Sequence, residues 1–145
     1  MKLSEHFSLE EFTASETAAR KGLDNTPDAE IIEVLKTTAA RMEEVRSLLS
    51  VPITVLSGFR SVKVNSAVGG SATSQHCKGE AVDFIAPGFG TPQEVCRAIL
   101  DSTIDFDQLI LEGSWTHISF SDDPRSSILT ARFSNGKTTY TNGIS

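Results

Sequence analysis

The feature that most constrains the fold is a long apolar stripe between residues 27 and 49. Apolar residues recur there at steps of three and four, the spacing of one face of an α-helix. The stripe consists of Ile31, Ile32, Leu35, Ala39, Met42, Val45, Leu48 and Leu49. Thr26 supplies an N-cap, Pro27 the first helical position and Asp28 an acid in the first turn. We therefore predict one long helix over about 27–49, with one buried face.

Shorter helices are indicated by their end signals. Two sequences, starting at Ser8 and Thr91, have the pattern of a capping box, in which a hydroxyl residue and a glutamate three positions later satisfy the free amides of a helix start. The second box opens a predicted helix that runs to about residue 102. A further helical piece, 15–21, ends at Gly22, since glycine tolerates the positive φ of a helix terminus. Residues 65–68 are predicted to form one helical turn.

The pattern changes at Pro52 to short β-branched and apolar segments, which are typical of strands. We predict strands over 53–56, 81–85, 108–111, 115–120, 128–133 and 137–141. Asn135-Gly136 between the last two is a strong hairpin signal. The chain is predicted to form a single α+β domain over 1–145, with a helical preamble over 1–25. A core over 26–145 would then pack helices on an antiparallel sheet.

Composition excludes several classes of function. The net charge is −6 and no basic cluster exceeds two residues, which argues against nucleic acid as a partner. No segment approaches the roughly 20 apolar residues of a membrane span, and the first residues lack the apolar run of a signal peptide. We therefore expect synthesis in the cytoplasm without a signal peptide, a monomer, and free thiols at Cys77 and Cys96.

Few residues are available for metal or nucleophile chemistry, because the chain has three histidines and two cysteines. His76 and Asp83 lie seven positions apart across a predicted turn and strand, and alternation in 115–120 puts Trp115, His117 and Ser119 on one face. One carboxylate and two imidazoles leave a fourth tetrahedral position for water, as catalytic zinc sites do. A solvated loop pair or a core hydrogen bond would have the same spacing.

Several separated motifs resemble the D-alanyl-D-alanine carboxypeptidase family of zinc peptidases, which cut peptidoglycan stem peptides. They are Ser57-Gly-Phe-Arg60-Ser61, Asn65, Gly69-Gly70, Ser74-x-His76-x-x-Gly79-x-Ala81-x-Asp83 and Trp115-x-His117-Ile-Ser119. The opening Phe7-Ser-Leu-Glu-Glu-Phe12, with Asp24-Asn-Thr-Pro27, is similar to the phage and prophage branch of that family. The resemblance covers most of residues 5–120 and implies a small α+β domain with an antiparallel sheet floored by helices.

The resemblance implies that His76, Asp83 and His117 bind one catalytic Zn²⁺. It also implies that Arg60 recognises the substrate carboxylate or stabilises the oxyanion, because a guanidinium fork suits either group. Ser74 is the expected smaller donor beside it. Among the aromatic residues, Trp115 is the one that we expect to line the site and contact substrate.

The general base departs from the family pattern. Many relatives have an acid three residues before the last histidine, where this chain has Ser114. The nearest candidate is Glu112, five residues before His117, and an odd separation in an unbroken strand would put the two on opposite faces. A bulge or tight bend at Gly113-Ser114 would return them to one side. Asp107 is the alternative base, and Glu112 would otherwise be a solvated acid at a strand end.

These expectations combine into a zinc-dependent hydrolase, a metallopeptidase that cleaves an amide bond in peptidoglycan stem peptides. It would act as a D,D-carboxypeptidase or an endopeptidase, in a bacteriophage endolysin or related lytic enzyme. It would reach the cell wall after release or carried in a virion. The alternative is a non-catalytic cell-wall-binding or virion structural module that retains the fold. The residues do not distinguish among the peptidoglycan bonds, and loops 86–92 and 121–127 are expected to set specificity.

Overall fold

The computed structural model describes residues 1–145 and contains α-helices and β-strands in one chain, so the predicted α+β class is confirmed. The helices are α1 (Leu9–Thr13), α2 (Glu16–Lys21), α3 (Ala29–Leu49), α4 (Val62–Ala67), α5 (Pro92–Leu100) and a 3₁₀ helix (Gln75–Lys78). The strands are β1 (Thr54–Ser57), β2 (Ala81–Ile85), β3 (Gln108–Leu111), β4 (Thr116–Ser119), β5 (Ser127–Ser134) and β6 (Lys137–Asn142). None of the helices has the length and apolar character that crossing a membrane requires.

The helix ends follow local hydrogen-bonding rules. Both predicted capping boxes are confirmed, with Ser8 and Glu11 at the start of α1 and Thr91 and Glu94 at the start of α5. Gly22 ends α2 in the left-handed conformation, as predicted. Helix α4 starts earlier than the turn predicted over 65–68, because the hydroxyl of Ser61 accepts a hydrogen bond from the amide of Val64.

The start of α3 differs from the prediction. Thr26 was expected to cap this helix, but the helix begins at Ala29 and Asp28 occupies the cap position. The carboxylate Oδ1 of Asp28 accepts a hydrogen bond of 2.9 Å from the amide of Ile31, three residues on. The amide of Thr26 instead donates to Oδ1 of Asp24 at 3.0 Å. An aspartate at the cap satisfies a free amide and complements the helix dipole, which favours the later start.

The six strands form one sheet in the order β1-β2-β4-β3-β5-β6. Strand β3 pairs antiparallel with β4, and β5 pairs antiparallel with β6. The prediction of a wholly antiparallel sheet is wrong at one point, because β3 and β5 run parallel. The chain reverses after β3 and again after β4, so β5 has the direction of β3, and it lies beside β3 rather than beside β4.

An ion pair lies at the start of these two parallel strands. The buried carboxylate of Asp107, just before β3, accepts hydrogen bonds from the amide and the guanidinium of Arg125, just before β5. The carbonyl of Asp107 also accepts from the amide of Ser127, at 2.9 Å. These bonds bring the starts of β3 and β5 together.

Contacts divide the chain into two compact parts, and the first consists of Met1–Glu43 and Val55–Val82. The rings of Phe7 and Phe12 pack there with centroids 5.7 Å apart, and both side chains are buried. The side-chain amide of Asn25 donates to the carbonyls of Thr13 and Phe59. These contacts join the N-terminal helices to the loop that follows β1.

The second part consists of Glu44–Thr54 and Asp83–Ser145. Helix α5 covers one face of its strands, where the hydroxyl of Thr116 lies 3.8 Å from Sγ of the buried Cys96. Both cysteines of the protein are free.

The hairpin predicted at Asn135-Gly136 is confirmed, with positive φ at both residues as a type I′ turn requires. The prediction of one domain over 1–145, with a preamble over 1–25, stays a prediction.

The cap of α3 is tested by replacing Asp28 and, as the matched control, Thr26. Asp28→Ala removes the acceptor of the Ile31 amide, so it should lower the free energy of unfolding by about 1 kcal/mol. Thr26→Ala removes no acceptor from a helix amide and should change it by less than about 0.5 kcal/mol. Urea denaturation followed by circular dichroism measures both, and equal effects would contradict the assignment of the cap.

Candidate metal centre

The first candidate ligand, His76, is held in a buried position by the 3₁₀ helix. Its amide donates to the hydroxyl of Ser74, which starts that helix, and Gly79 ends it with a φ of 77°. The imidazole Nδ1 lies 2.7 Å from the carbonyl oxygen of Gly58. A carbonyl only accepts hydrogen bonds, so Nδ1 must carry the proton, and in the neutral ring Nε2 is then the unprotonated nitrogen, the form that binds a metal. Metal-binding histidines are oriented in this way.

Two glycines near His76 occupy positions that suit no other residue, Gly58 because the backbone of Phe12 is close and Gly79 because its φ is positive. A Cβ on Gly58 would lie 2.6 Å from the carbonyl oxygen of Phe12, a distance that real structures exclude. Gly79 has a positive φ, and its carbonyl accepts a hydrogen bond of 2.7 Å from the hydroxyl of the buried Thr38 on α3. The long helix therefore anchors the loop that carries His76, although no pattern in its sequence indicated this contact.

The other two candidate ligands lie on neighbouring strands of the sheet. Asp83 is the third residue of β2 and His117 the second residue of β4. Oδ1 of Asp83 and Nδ1 of His117 are 2.8 Å apart, and the two side chains are 14% and 13% exposed. A carboxylate and an imidazole so well shielded from solvent need either each other or a cation as a partner.

Together, the ligand atoms of His76, Asp83 and His117 all lie within 4.8 Å of one another. Nitrogen and oxygen ligands about 2.0–2.2 Å from a tetrahedral Zn²⁺ lie about 3.3–3.6 Å apart, so small side-chain movements would suffice to bind the ion. The donor set of two imidazoles and one carboxylate also fits zinc and leaves a fourth position open. The structure thus brings together the three residues that the sequence singled out.

Glu112 lies beside this group because β3 and β4 are joined by a tight turn. The amide of Glu112 donates to the carbonyl of Trp115, and Gly113 alone of the two turn residues between them has a positive φ, which fits a type II′ turn. Ile110 is directly opposite His117, so their side chains share one face. Two residues further along each strand, Glu112 and Trp115 lie on that same face. The bend predicted at Gly113-Ser114 is present.

The environment of Glu112 favours proton uptake. Burial raises the pKa of the Glu112 carboxyl, an effect that His117 opposes and Asp83 reinforces. Asp107, the alternative base, lies at the other end of β3 and is occupied by its ion pair with Arg125. Of the two candidate acids, Glu112 therefore has the surroundings of a proton carrier.

The predicted substrate-binding residues differ in how the fold holds them. The amide of Arg60 donates to the carbonyl of His76 at 3.1 Å, which connects the loop after β1 to the 3₁₀ helix. The side chain of Arg60 is half-buried, and its Nε is shielded from solvent without a hydrogen-bond partner. The hydroxyl of Ser74 accepts from the His76 amide and retains a hydrogen to donate. Trp115 is half-buried opposite Glu112.

The sequence predicted the last hairpin, β5–β6, but did not indicate that it belongs to the same sheet as the candidate site. Ile110 is paired with Leu129 of β5, and Leu129 with Asn142 of β6, so their side chains share the face of His117. Two residues along, Ala131 is paired with Tyr140. The pairing of Ala131 with Tyr140 follows from the Asn135-Gly136 turn, which the sequence predicts. No local sequence pattern predicts that β5 pairs with β3.

A family model described as Peptidase M15 matches residues 5–119. The match covers most of the chain and includes all three candidate ligands, so the protein belongs to the peptidase M15 family. A search of curated proteins gives no significant match. Members of this family are zinc peptidases, and the chain is therefore assigned as a metallopeptidase.

Zinc binding is tested by replacing His76 and, as the matched control, its neighbour Cys77. Purified wild type should contain about one zinc per chain, as one three-ligand site implies. His76→Ala removes one of three ligands and should lower the zinc content several-fold, whereas Cys77→Ala should leave it unchanged. Elemental analysis after dialysis measures the metal, and circular dichroism shows that both variants fold. Equal zinc in the two variants would exclude His76 as a ligand.

Proposed function

We propose that this protein is a zinc-dependent peptidase that hydrolyses an amide bond in peptidoglycan stem peptides. The observation that carries the proposal is the group formed by His76, Asp83 and His117, with the half-buried carboxylate of Glu112 on the sheet face of His117. Three ligands, an open position and a nearby acid are the parts that metal-assisted amide hydrolysis needs. Membership of the peptidase M15 family supports the same reaction.

His76, Asp83 and His117 would hold the zinc ion. When bound, Zn²⁺ lowers the pKa of a coordinated water to about 7 and polarises a carbonyl group. The hydrogen bond from Nδ1 of His76 to the carbonyl of Gly58 fixes the ring and presents Nε2 to the ion. The low exposure of Asp83 and His117 strengthens their electrostatic interaction with a cation, because little water screens it.

Glu112 is the proposed general base and acid. Its carboxylate takes a proton from the attacking water and passes it to the nitrogen of the departing amine as the amide bond breaks. Burial raises the pKa of the Glu112 carboxyl, so it retains this proton more readily between the two steps. The hairpin turn at Gly113 keeps the carboxylate on the face where the reaction occurs.

Arg60 and Ser74 are the proposed substrate-binding donors. The unpartnered Nε of Arg60 is a buried cationic donor that costs free energy until an acceptor binds. A substrate carboxylate or the developing oxyanion would supply that acceptor. The Arg60 amide and the Ser74 hydroxyl both hydrogen-bond to the backbone of His76, so both residues are positioned with the proposed metal ligand itself. Trp115 would pack against the substrate beside Glu112.

The peptidoglycan substrate and the lytic role rest on motif resemblance. The motifs around Arg60, His76 and His117 resemble D-alanyl-D-alanine carboxypeptidases, and the N-terminal motif resembles the phage and prophage branch. We propose a bacteriophage lytic enzyme that acts on the cell wall after release or from a virion. Both D,D-carboxypeptidase and endopeptidase reactions are consistent with these residues.

The reaction is tested by digesting purified sacculi and muropeptides and identifying the products by mass spectrometry. Wild type should release stem-peptide fragments, and chelation of zinc should abolish the release. Glu112→Gln should retain zinc but lose at least about 100-fold in kcat, because general acid–base catalysis contributes about that much. The exposed surface variant Glu33→Gln serves as the matched control and should keep full turnover. Unimpaired turnover in Glu112→Gln would assign the proton transfer to another group.

One feature favours a second candidate, a wall-binding or virion module that keeps the metal without hydrolysis. Ser114 occupies the position where many relatives have their acid. Zinc content does not separate the two functions, since both retain the ligands. Turnover on sacculi does, because the module would bind them and release nothing.

A further inference from the structure

The hairpin β5–β6 places two exposed aromatic side chains on the face that carries Glu112 and His117. In β6, Tyr140 is paired with Ala131, and in β5, Phe133 lies two residues beyond Ala131, so all three share that face. Extending the parallel pairing of Leu111 with Thr130 by one residue sets Glu112 beside Ala131. The row across the sheet is therefore Glu112, Ala131 and Tyr140.

The spacing of this row allows Tyr140 to reach the site. Neighbouring strands are about 4.8 Å apart, so the backbones of Glu112 and Tyr140, two strands apart, are separated by about 10 Å across the sheet. The residue between them is Ala131, whose side chain is a single methyl group, too small to block the tyrosine ring, and this alanine is only 6% exposed. Partial burial raises the pKa of Tyr140, and the negative charges of Glu112 and Asp83 raise it further. The hydroxyl is thus within electrostatic range of both carboxylates.

Phe133 approaches the same site from the turn. A Cβ on Gly113 would lie 3.0 Å from Cε2 of Phe133, so the ring packs against the turn that positions Glu112. Phe133 is 58% exposed and Tyr140 51% exposed, although both are large and partly apolar. Aromatic residues exposed side by side at the edge of a site are typical of surfaces that a ligand covers.

We propose that the β5–β6 hairpin forms part of the substrate site, where the hydroxyl of Tyr140 donates a hydrogen bond to a carbonyl oxygen of the bound stem peptide and Phe133 packs against the peptide. This inference rests on the proposed function. Both residues lie beyond residue 119, where the family match ends, so the match assigns them no role. Burial raises the pKa of Tyr140, and the charges of Glu112 and Asp83 raise it further, so the hydroxyl keeps its proton at neutral pH and can donate it in a hydrogen bond.

Tyr140→Phe tests the hydrogen bond, because it removes the hydroxyl and keeps the ring. Thr139→Val is the matched control, since it also removes one hydroxyl from β6 but at a residue on the opposite face. Binding of a purified stem tetrapeptide is measured by calorimetry in zinc-loaded Glu112→Gln protein, which should not turn over. Tyr140→Phe should raise the Kd by about three- to ten-fold, the usual worth of one hydrogen bond. Thr139→Val should leave the Kd unchanged.

The kinetics of the wild-type background give an independent readout. Tyr140→Phe should lower kcat/KM on muropeptides by at least the same factor while zinc content and Tm stay those of Thr139→Val. Equal Kd values for the two variants, or no binding of the tetrapeptide, would overturn the inference. If wild type cleaves nothing but the Kd depends on Tyr140, the peptide site stands and the proposed hydrolysis fails.

Discussion

The hydrogen bond between Nδ1 of His76 and the carbonyl of Gly58 is the constraint on which the site depends. It joins the loop after β1 to the 3₁₀ helix, and it selects the tautomer in which Nε2 is unprotonated and able to bind a metal. The Gly58 carbonyl is in place because this glycine packs directly on the backbone of Phe12. The N-terminal helices therefore support the candidate metal centre through backbone packing, together with the hydrogen bonds of Asn25.

A second constraint is the turn between β3 and β4. Five residues separate Glu112 from His117, which in a continuous strand would put them on opposite faces. A two-residue turn with positive φ at Gly113 reverses the chain, so the two side chains share a face. His117 is then close enough to oppose the rise that burial causes in the pKa of Glu112. The acid that is absent at Ser114 can thus be replaced by one two residues earlier without any change in the strands.

Much of the local structure was predictable because its causes are local. The capping boxes at Ser8 and Thr91 and the turn at Asn135-Gly136 formed as predicted, since each depends on hydrogen bonds or dihedral angles within a few residues. The start of α3 was misplaced because two polar residues two positions apart, Thr26 and Asp28, both suit a cap. The parallel pairing of β3 with β5 was missed because it is formed by contacts between distant residues, among them the Asp107–Arg125 ion pair, which links residues 18 apart.

By itself, the sequence determined which segments form helices and which form strands, and which three residues are able to bind a metal. Both follow from the periodicity of apolar residues and from side-chain chemistry, which are properties of the sequence alone. Only the tertiary structure decided that Glu112 lies on the face of His117, that Asp107 is occupied by Arg125, and that Tyr140 lies in the row of Glu112. The physical reason is that strand order and register are set by contacts between distant residues, and a shift of one residue would turn each of these side chains to the other face.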